Sequence, residues 1–164
     1  MFLSFVSERG KRMNYTEVTG DLFTAGTDCL LAHCISSDFA LGAGIAKTFR
    51  DRYGVRDKLI ATGGKDRWNG KGCCIITGSS EDDKPMWNVA NLITKAKCYE
   101  KPTYKTLEQA LIEMKQQCAV WGYHRIAMPL IGCGLDGLSW DKVSAIIKDV
   151  FADYDGEIVV YRFK

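Results

Sequence analysis

The chain has 164 residues, of which 46% are hydrophobic and 26% charged, with a formal net charge of +2. That is the size of one domain with a core of its own and the composition of ordinary globular material, which excludes a disordered or fibrous chain. Arg9, Lys11 and Arg12 against Glu8 account for the whole excess of positive charge, so no basic stripe remains for sequence-specific nucleic-acid binding.

Met1-Phe-Leu-Ser-Phe-Val is too short for a signal sequence or a membrane span. Residues 1–12 read as a flexible N-terminal arm and residues 13–164 as the domain. Asn14 to Val18 alternates polar and apolar and predicts a strand. Thr19-Gly20-Asp21-Leu22-Phe23 follows as a turn, with Gly20 expected at positive φ. Asp28 to Ile35 is a near-continuous apolar run, as in a strand buried on both faces of a parallel sheet. Ser36 to Ala43 is a loop ending in Leu41-Gly42-Ala43-Gly44. Ile45 to Tyr53 predicts a helix closed by Gly54, and Asp57 to Ala61 a further helical turn.

Gly63 to Gly72 is turn-rich. Cys73 to Thr77 predicts a short strand, Ser79 to Lys84 a charged hairpin-like loop, and Pro85 to Thr94 a strand running into Lys95. Leu107, Leu111, Met114, Cys118 and Trp121 recur at helical spacing, so Thr103 to Trp121 predicts the longest helix. Its start is capped either by Thr106 with Gln109 or by Thr103, and Gly122 ends it. Arg125 to Ile131 predicts a central strand, Ser139 to Phe151 a helix, and Glu157 to Phe163 a last strand. Alternation of strands and helices implies an α/β domain with helices on both faces of a mixed sheet.

Seven cysteines, with no C-x-x-C pair, exclude a disulfide frame or a zinc site. Cys29, Cys34, Cys73 and Cys118 fall in apolar runs, the usage of reduced thiols in a cytoplasmic protein. His33, inside an apolar strand, reads as a packed residue rather than a base. Cys133 has no histidine placed by sequence to activate it.

In open α/β sheets ligands sit beyond the carboxyl ends of the strands. Three glycine-bearing loops follow predicted strands there: Gly20-Asp21, Leu41 to Gly44, and Gly132 to Gly137. The second and third each open a helix, where close-approaching N–H groups and the helix dipole favour an anion such as a diphosphate. Neither loop matches the phosphate loop of nucleoside triphosphatases or the full dinucleotide fingerprint. Asp136 would repel a phosphate, so it is expected to face a sugar or water beside it.

The segments Thr19-Gly20-Asp21-Leu22-Phe23, Leu31-Ala32-His33-Cys34-Ile35-Ser36, Gly42-Ala43-Gly44-Ile45-Ala46, Leu92-Ile93-Thr94-Lys95, Lys101-Pro102-Thr103-Tyr104, Met128 to Asp136 and Val159-Val160-Tyr161 occur in order from about residue 14 onward. Together they resemble the macrodomains, ADP-ribose-binding modules, and most of all the terminal ADP-ribose glycohydrolase branch with its ADP-ribose-1''-phosphatase relatives. The resemblance implies a single three-layer α/β/α domain with a mixed central sheet, no cofactor and no metal. Its partners would be ADP-ribose or ADP-ribosylated proteins, and it would act as a monomer without a membrane.

By that resemblance Asp21 and the Leu22 N–H meet the adenine, and Tyr161 or Phe163 stacks on it unless they belong to the core. Ser36, Gly42, Ala43, Gly44 and Ile45 hold the distal ribose and a phosphate. Ile131, Gly132, Cys133, Gly134 and Leu135 grip the diphosphate. Lys95 attacks the anomeric carbon of the distal ribose and Asp136 acts on the sugar and leaving group, while Lys97, two residues on, is a neighbour without that role. Burial frees the lysine lone pair and a nearby carboxylate opposes this by favouring the ammonium. Three activities share these residues: hydrolysis of ADP-ribose from acidic side chains or an acetyl ester, phosphatase action on ADP-ribose 1''-phosphate, and binding without turnover. Lys95 beside Asp136 ranks the first ahead.

Overall fold

The computed structural model describes residues 13–63, 67–78 and 86–163. The expected N-terminal arm and the hairpin-like loop over 79–84 lie outside the described residues. Strands β1 (Met13–Thr19), β2 (Leu30–Ser36), β3 (Gly72–Gly78), β4 (Trp87–Lys95), β5 (Arg125–Met128) and β6 (Gly156–Arg162) form one sheet in the order β1-β6-β5-β2-β4-β3. All neighbours are parallel except β3 with β4, so the sheet is mixed, as expected.

The helices are α1 (Gly44–Tyr53), α2 (Val55–Ile60), α3 (Tyr104–Trp121) and α4 (Trp140–Val150). Their placement follows from the two faces of the strands. Leu30 and Ala32 of β2 and Ala90 and Leu92 of β4 join Leu107, Met114, Val143 and Ile147 of α3 and α4 in one buried cluster. Leu31 and Ile35, with Val89 and Ile93, join Phe49, Val55 and Leu59 of α1 and α2 in the other. Because both faces of β2 and β4 are covered, their sequences carry no polar alternation. The result is a three-layer α/β/α domain. Truncating a fully buried member such as Leu111 or Met114 to alanine costs about 2–5 kcal/mol.

Helix α3 starts at Thr103, the second of the two expected caps. The Thr103 hydroxyl accepts from the Thr106 N–H at 3.0 Å, and the Thr106 hydroxyl accepts from the Thr103 N–H at 3.0 Å. Gly54 and Gly122 end α1 and α3 in left-handed conformations, as their positions predicted.

Three expectations are corrected. The strand expected to reach Ile131 ends at Met128. Pro129 has no N–H to continue the ladder, and the Ile131 N–H turns back to the Pro129 carbonyl at 2.8 Å. Gly20 is not left-handed; its N–H donates to Arg162 O at 2.9 Å and prolongs the β1–β6 ladder. Trp121, at core spacing on α3, is 71% exposed, because it is the last helical residue before Gly122 turns the chain away.

The five parallel strands end on the same side of the sheet. From β2 the chain leaves for β3 and β4 on one flank and returns to β5 on the other. A crevice at such a reversal is where α/β sheets hold ligands, and the loops after β2, β4 and β5 meet there.

Candidate active site

The site begins with an irregularity between β2 and β4. Ile35 pairs with Ile93, but Ser36 pairs with Lys95, so Thr94 is an extra residue on β4. A bulge of this kind re-aims the side chain that follows it. Beyond it the two strands stay zipped: the Ser37 N–H donates to Lys95 O at 2.9 Å and the Asp38 N–H to Ala96 O at 3.0 Å. The Ser37 hydroxyl accepts from the Gly70 N–H at 2.8 Å. Gly70 lies directly beneath this segment, with φ of 78°, and a Cβ there would stand 2.9 Å from Ala96 N.

Asp38, which the sequence reading did not single out, ties the loop after β2 to the loop after β4. Its carboxylate accepts from the Ser36 hydroxyl at 2.6 Å, the Ala40 N–H at 3.1 Å and the Cys98 N–H at 2.8 Å. Burial works to raise the Asp38 carboxyl, but these donors outweigh it and hold the group below the usual carboxylate range. The same loop carries two non-glycine residues in left-handed conformations, Phe39 (φ 54°) and Leu41 (φ 44°). Both side chains are buried, and the Arg56 guanidinium donates to Phe39 O at 2.8 Å. Buried anchors thus hold a backbone that costs about 1–3 kcal/mol per such residue.

The loop leads into α1, whose first residues have no side-chain cap. The opening N–H groups of an uncapped helix are unsatisfied from within, and they lie on the wall of the cleft. The opposite wall is the loop after β5. Gly132, Gly134 and Gly137 all take positive φ there, and a Cβ on Gly132 would meet Leu138 Cδ1 at 2.9 Å. The Leu138 N–H donates to Gly132 O at 2.8 Å and closes the loop at its base. Helix α4 follows from Ser139, again with no side-chain cap.

Between these walls is an open cleft of about 390 Å³. Ser36, Gly42, Ala43, Gly44 and Ile45 line one side, and Ile131, Gly132, Cys133, Gly134 and Leu135 the other. Lys95 and Asp136 meet in its lining, with Lys95 Nζ 2.6 Å from Asp136 Oδ1. Their side chains are only 14% and 19% exposed. So half-buried an ion pair is screened far less than a surface one.

Asp21, Leu22 and Tyr161 do not line this cleft. One Asp21 oxygen accepts from the Phe23 N–H at 2.9 Å and caps the short 3-10 turn Leu22–Thr24. Leu22 is buried, and Tyr161 packs against the α1/α2 side of the core. Tyr161 does lie next to Gly20, where a Cβ would be 3.8 Å from its ring, so the turn after β1 and the end of β6 are neighbours.

Lys97 is absent from the lining; its Nζ lies 5.8 Å from the centroid of the exposed Tyr99 ring. Lys101, which was not among the expected site residues, does line the cleft and donates to Leu135 O. The Lys101-Pro102 pair ahead of the α3 cap was the available signal. His33 is fully buried, stacked on Phe49 with centroids 4.0 Å apart, and its Nε2 is 2.6 Å from Asn91 Oδ1. Burial pulls its pKa down to about 4, against the Asn91 hydrogen bond, so it is a neutral packed residue. Burial also pushes the Cys34 and Cys133 thiols up, which keeps both protonated and poor as nucleophiles. All seven cysteines are free thiols. No group of His, Cys, Asp or Glu among the described residues has the arrangement of a metal site. No helix among them is long and apolar enough to cross a membrane.

The chain is similar to known proteins over most of its length. A family described as Macro domain matches residues 32–147. The human protein ADP-ribose glycohydrolase OARD1 is 39% identical over 152 residues, covering 93% of this chain and 92% of that protein. The bovine protein of the same name is also 39% identical. Among solved structures, the macrodomain of Mycobacterium tuberculosis DarG superposes with a TM-score of 0.76 at 23% identity, covering 93% of this chain and 98% of that one. Thermosipho africanus DarTG in complex with ADP-ribose gives 0.80 at 19% identity, covering 91% of this chain and 41% of that one. These two carry the fold, and the family match and the human relative carry the kinship: the chain belongs to the Macro domain family.

Proposed function

We propose that the protein is an ADP-ribosyl hydrolase that releases ADP-ribose from acidic side chains or from an acetyl ester. The observation that carries this is the Lys95–Asp136 pair, 2.6 Å apart in the lining of a cleft whose other walls are glycine loops and an uncapped helix start. The name of the human relative, an ADP-ribose glycohydrolase, supports the same reading.

The uncapped opening of α1 and the Gly132–Leu135 loop would hold the diphosphate, which places the distal ribose near Lys95. An ammonium has no lone pair, so Lys95 must lose a proton before it attacks. Asp136 Oδ1 is at hydrogen-bond distance to take it. Lys95 Nζ then forms a bond to the anomeric carbon while that carbon's bond to the ester oxygen breaks. The carboxylate leaves with the electron pair. Asp136 passes its proton to the departing carboxylate and then takes one from the water that adds at the same carbon; the carbon–nitrogen bond breaks with its electron pair on nitrogen, and Asp136 returns the proton to Lys95. A carboxylate is a stable leaving anion, which is why an ester-linked ADP-ribose suits an amine nucleophile.

The test is release of ADP-ribose from a glutamate-linked ADP-ribosylated protein, run beside phosphate release from ADP-ribose 1''-phosphate at equal enzyme. Ester cleavage by the wild type, lost in Lys95→Ala, supports the reading, as does a mass shift trapped on Lys95. Faster phosphate release moves the assignment to a phosphatase. Tight ADP-ribose binding without turnover of any substrate makes the protein a reader.

A further inference from the structure

The loop that carries Asp136 has little of its own to fix it. Gly132, Gly134 and Gly137 are all left-handed, a backbone state open to glycine, and none of the three has a side chain with which to pin the loop. Leu135 is 73% exposed and so buries little of its side chain. Within the loop, the Gly137 N–H reaches Gly134 O at 3.2 Å and the Leu138 N–H reaches Gly132 O at 2.8 Å. Neither bond fixes where the Leu135–Asp136 tip lies relative to β4.

Besides the Lys95–Asp136 contact itself, two side chains from outside do. Lys101 comes from the short segment that joins the Lys95 strand to α3, and Tyr104 is the first residue of α3. Lys101 Nζ donates to Leu135 O, the carbonyl directly before Asp136. The Tyr104 hydroxyl accepts from the Ser139 N–H at 3.0 Å, three residues after Asp136. Tyr104 is itself held, packed against the α3/α4 core with Lys142 Nζ 5.4 Å from its ring centroid. The loop is therefore gripped on both sides of Asp136 by the chain that leaves Lys95. We propose that Lys101 and Tyr104 are positioning residues that hold the Asp136 carboxylate against Lys95. This deepens the hydrolase reading and rests on it for its effect on rate.

Positioning has a recognisable signature. Displacing a reacting group by about 1 Å costs roughly 100-fold in rate, whereas binding of a ligand held by other residues need not change. In the full chain, Lys101→Met keeps the aliphatic stem and removes the donor, and Tyr104→Phe removes the acceptor and keeps the ring. Turnover of glutamate-linked ADP-ribosylated protein, calorimetric ADP-ribose binding and hydrogen–deuterium exchange over residues 132–139 are measured on each. The expected result for Lys101→Met is a kcat lower by roughly 10- to 100-fold. Its ADP-ribose Kd stays within about 3-fold, and exchange over residues 135–139 accelerates. Lys101→Arg, which restores a charged donor, recovers most of the rate. Tyr104→Phe moves exchange in the same direction with a smaller rate loss. Unchanged exchange in Lys101→Met overturns the proposal, whatever happens to the rate, since Lys101 then acts on the substrate itself or not at all. A wild type that binds ADP-ribose but turns nothing over defeats the hydrolase reading alone, and exchange still decides the clamp.

Discussion

Ser36 of β2 stands opposite Lys95 of β4, not opposite Thr94, and this single skipped residue decides which side chain enters the cleft. Without the bulge, successive residues would keep strict alternation and Lys95 would follow Val89, Asn91 and Ile93 onto the α1/α2 face. With it, Lys95 reaches the loop after β5 and Asp136.

Lys95→Ala is expected to abolish turnover while leaving ADP-ribose bound. The glycine loops and the helix start make the binding contacts, and the amine makes the new bond. Loss of the attacking group should lower kcat by about 10³-fold or more, equivalent to ~4 kcal/mol of barrier. Lys97 cannot substitute, since it is turned to Tyr99 outside the cleft. Single-turnover release and calorimetry on the same preparation check both halves. A variant that still turns over at a tenth of the wild-type rate would rule out Lys95 as the nucleophile.

Asp136→Asn keeps the shape of the side chain and removes the proton acceptor. The expected outcome is a kcat loss of roughly 10²- to 10⁴-fold, the usual range for a general base. Because Asp136 is the ion-pair partner of the half-buried Lys95 ammonium, the variant also leaves that charge without its counter-ion. Melting temperature should therefore fall along with activity. Parallel thermal melts and initial rates measure the two effects.

Much of this was legible beforehand, and what was not has physical causes. The apolar stripe of α3 and the unbroken apolar runs of β2 and β4 reveal their elements, because packing on the sheet demands those patterns. The glycine loops reveal the cleft, because only glycine takes positive φ without strain. The bulge at Thr94 leaves no mark, since Leu92-Ile93-Thr94-Lys95 reads the same with or without an extra residue. The left-handed Phe39 and Leu41 are equally silent: their conformation is imposed by tertiary anchoring and not by residue type. Pro129 did carry a signal against a continuing strand, but the apolar run around it masked the missing N–H. Asp21 and Tyr161 were placed by resemblance alone, and they fall outside the cleft's lining.

Gly70→Ala tests the support beneath Lys95. The new methyl would sit 2.9 Å from the Ala96 nitrogen, at a φ of 78° that alanine resists. Both penalties act on the segment Lys95–Ala96 that Ser37 also holds. The expected destabilisation is about 2–3 kcal/mol, a drop in Tm of roughly 4–12 °C for a domain of this size. Activity at a temperature where the variant is folded should fall further than stability explains, because the strain is relieved by moving Lys95. Equal specific activity in the folded variant would show that Gly70 serves packing only.

His33 sets a pH limit on stability that is separate from catalysis. Its folded pKa is about 4, lowered by burial from the ordinary 6.5. Between those values the unfolded chain binds a proton that the folded chain refuses, so stability rises with pH through this window and is lost as pH falls from 6.5 toward 4. The full span is worth about 3 kcal/mol at 1.36 kcal/mol per pKa unit. Below pH 4 both states are protonated and this contribution no longer changes. Urea unfolding at intervals from pH 7 to pH 4 should show the loss in the wild type. His33→Gln keeps a hydrogen-bonding group opposite Asn91 but cannot titrate, so its stability should be lower at neutral pH and flatter across the window. If wild type and variant lose stability with the same slope, the acid sensitivity belongs to the carboxylates, with Glu17 and Asp38 the first to examine because both are held below their ordinary values in the folded chain.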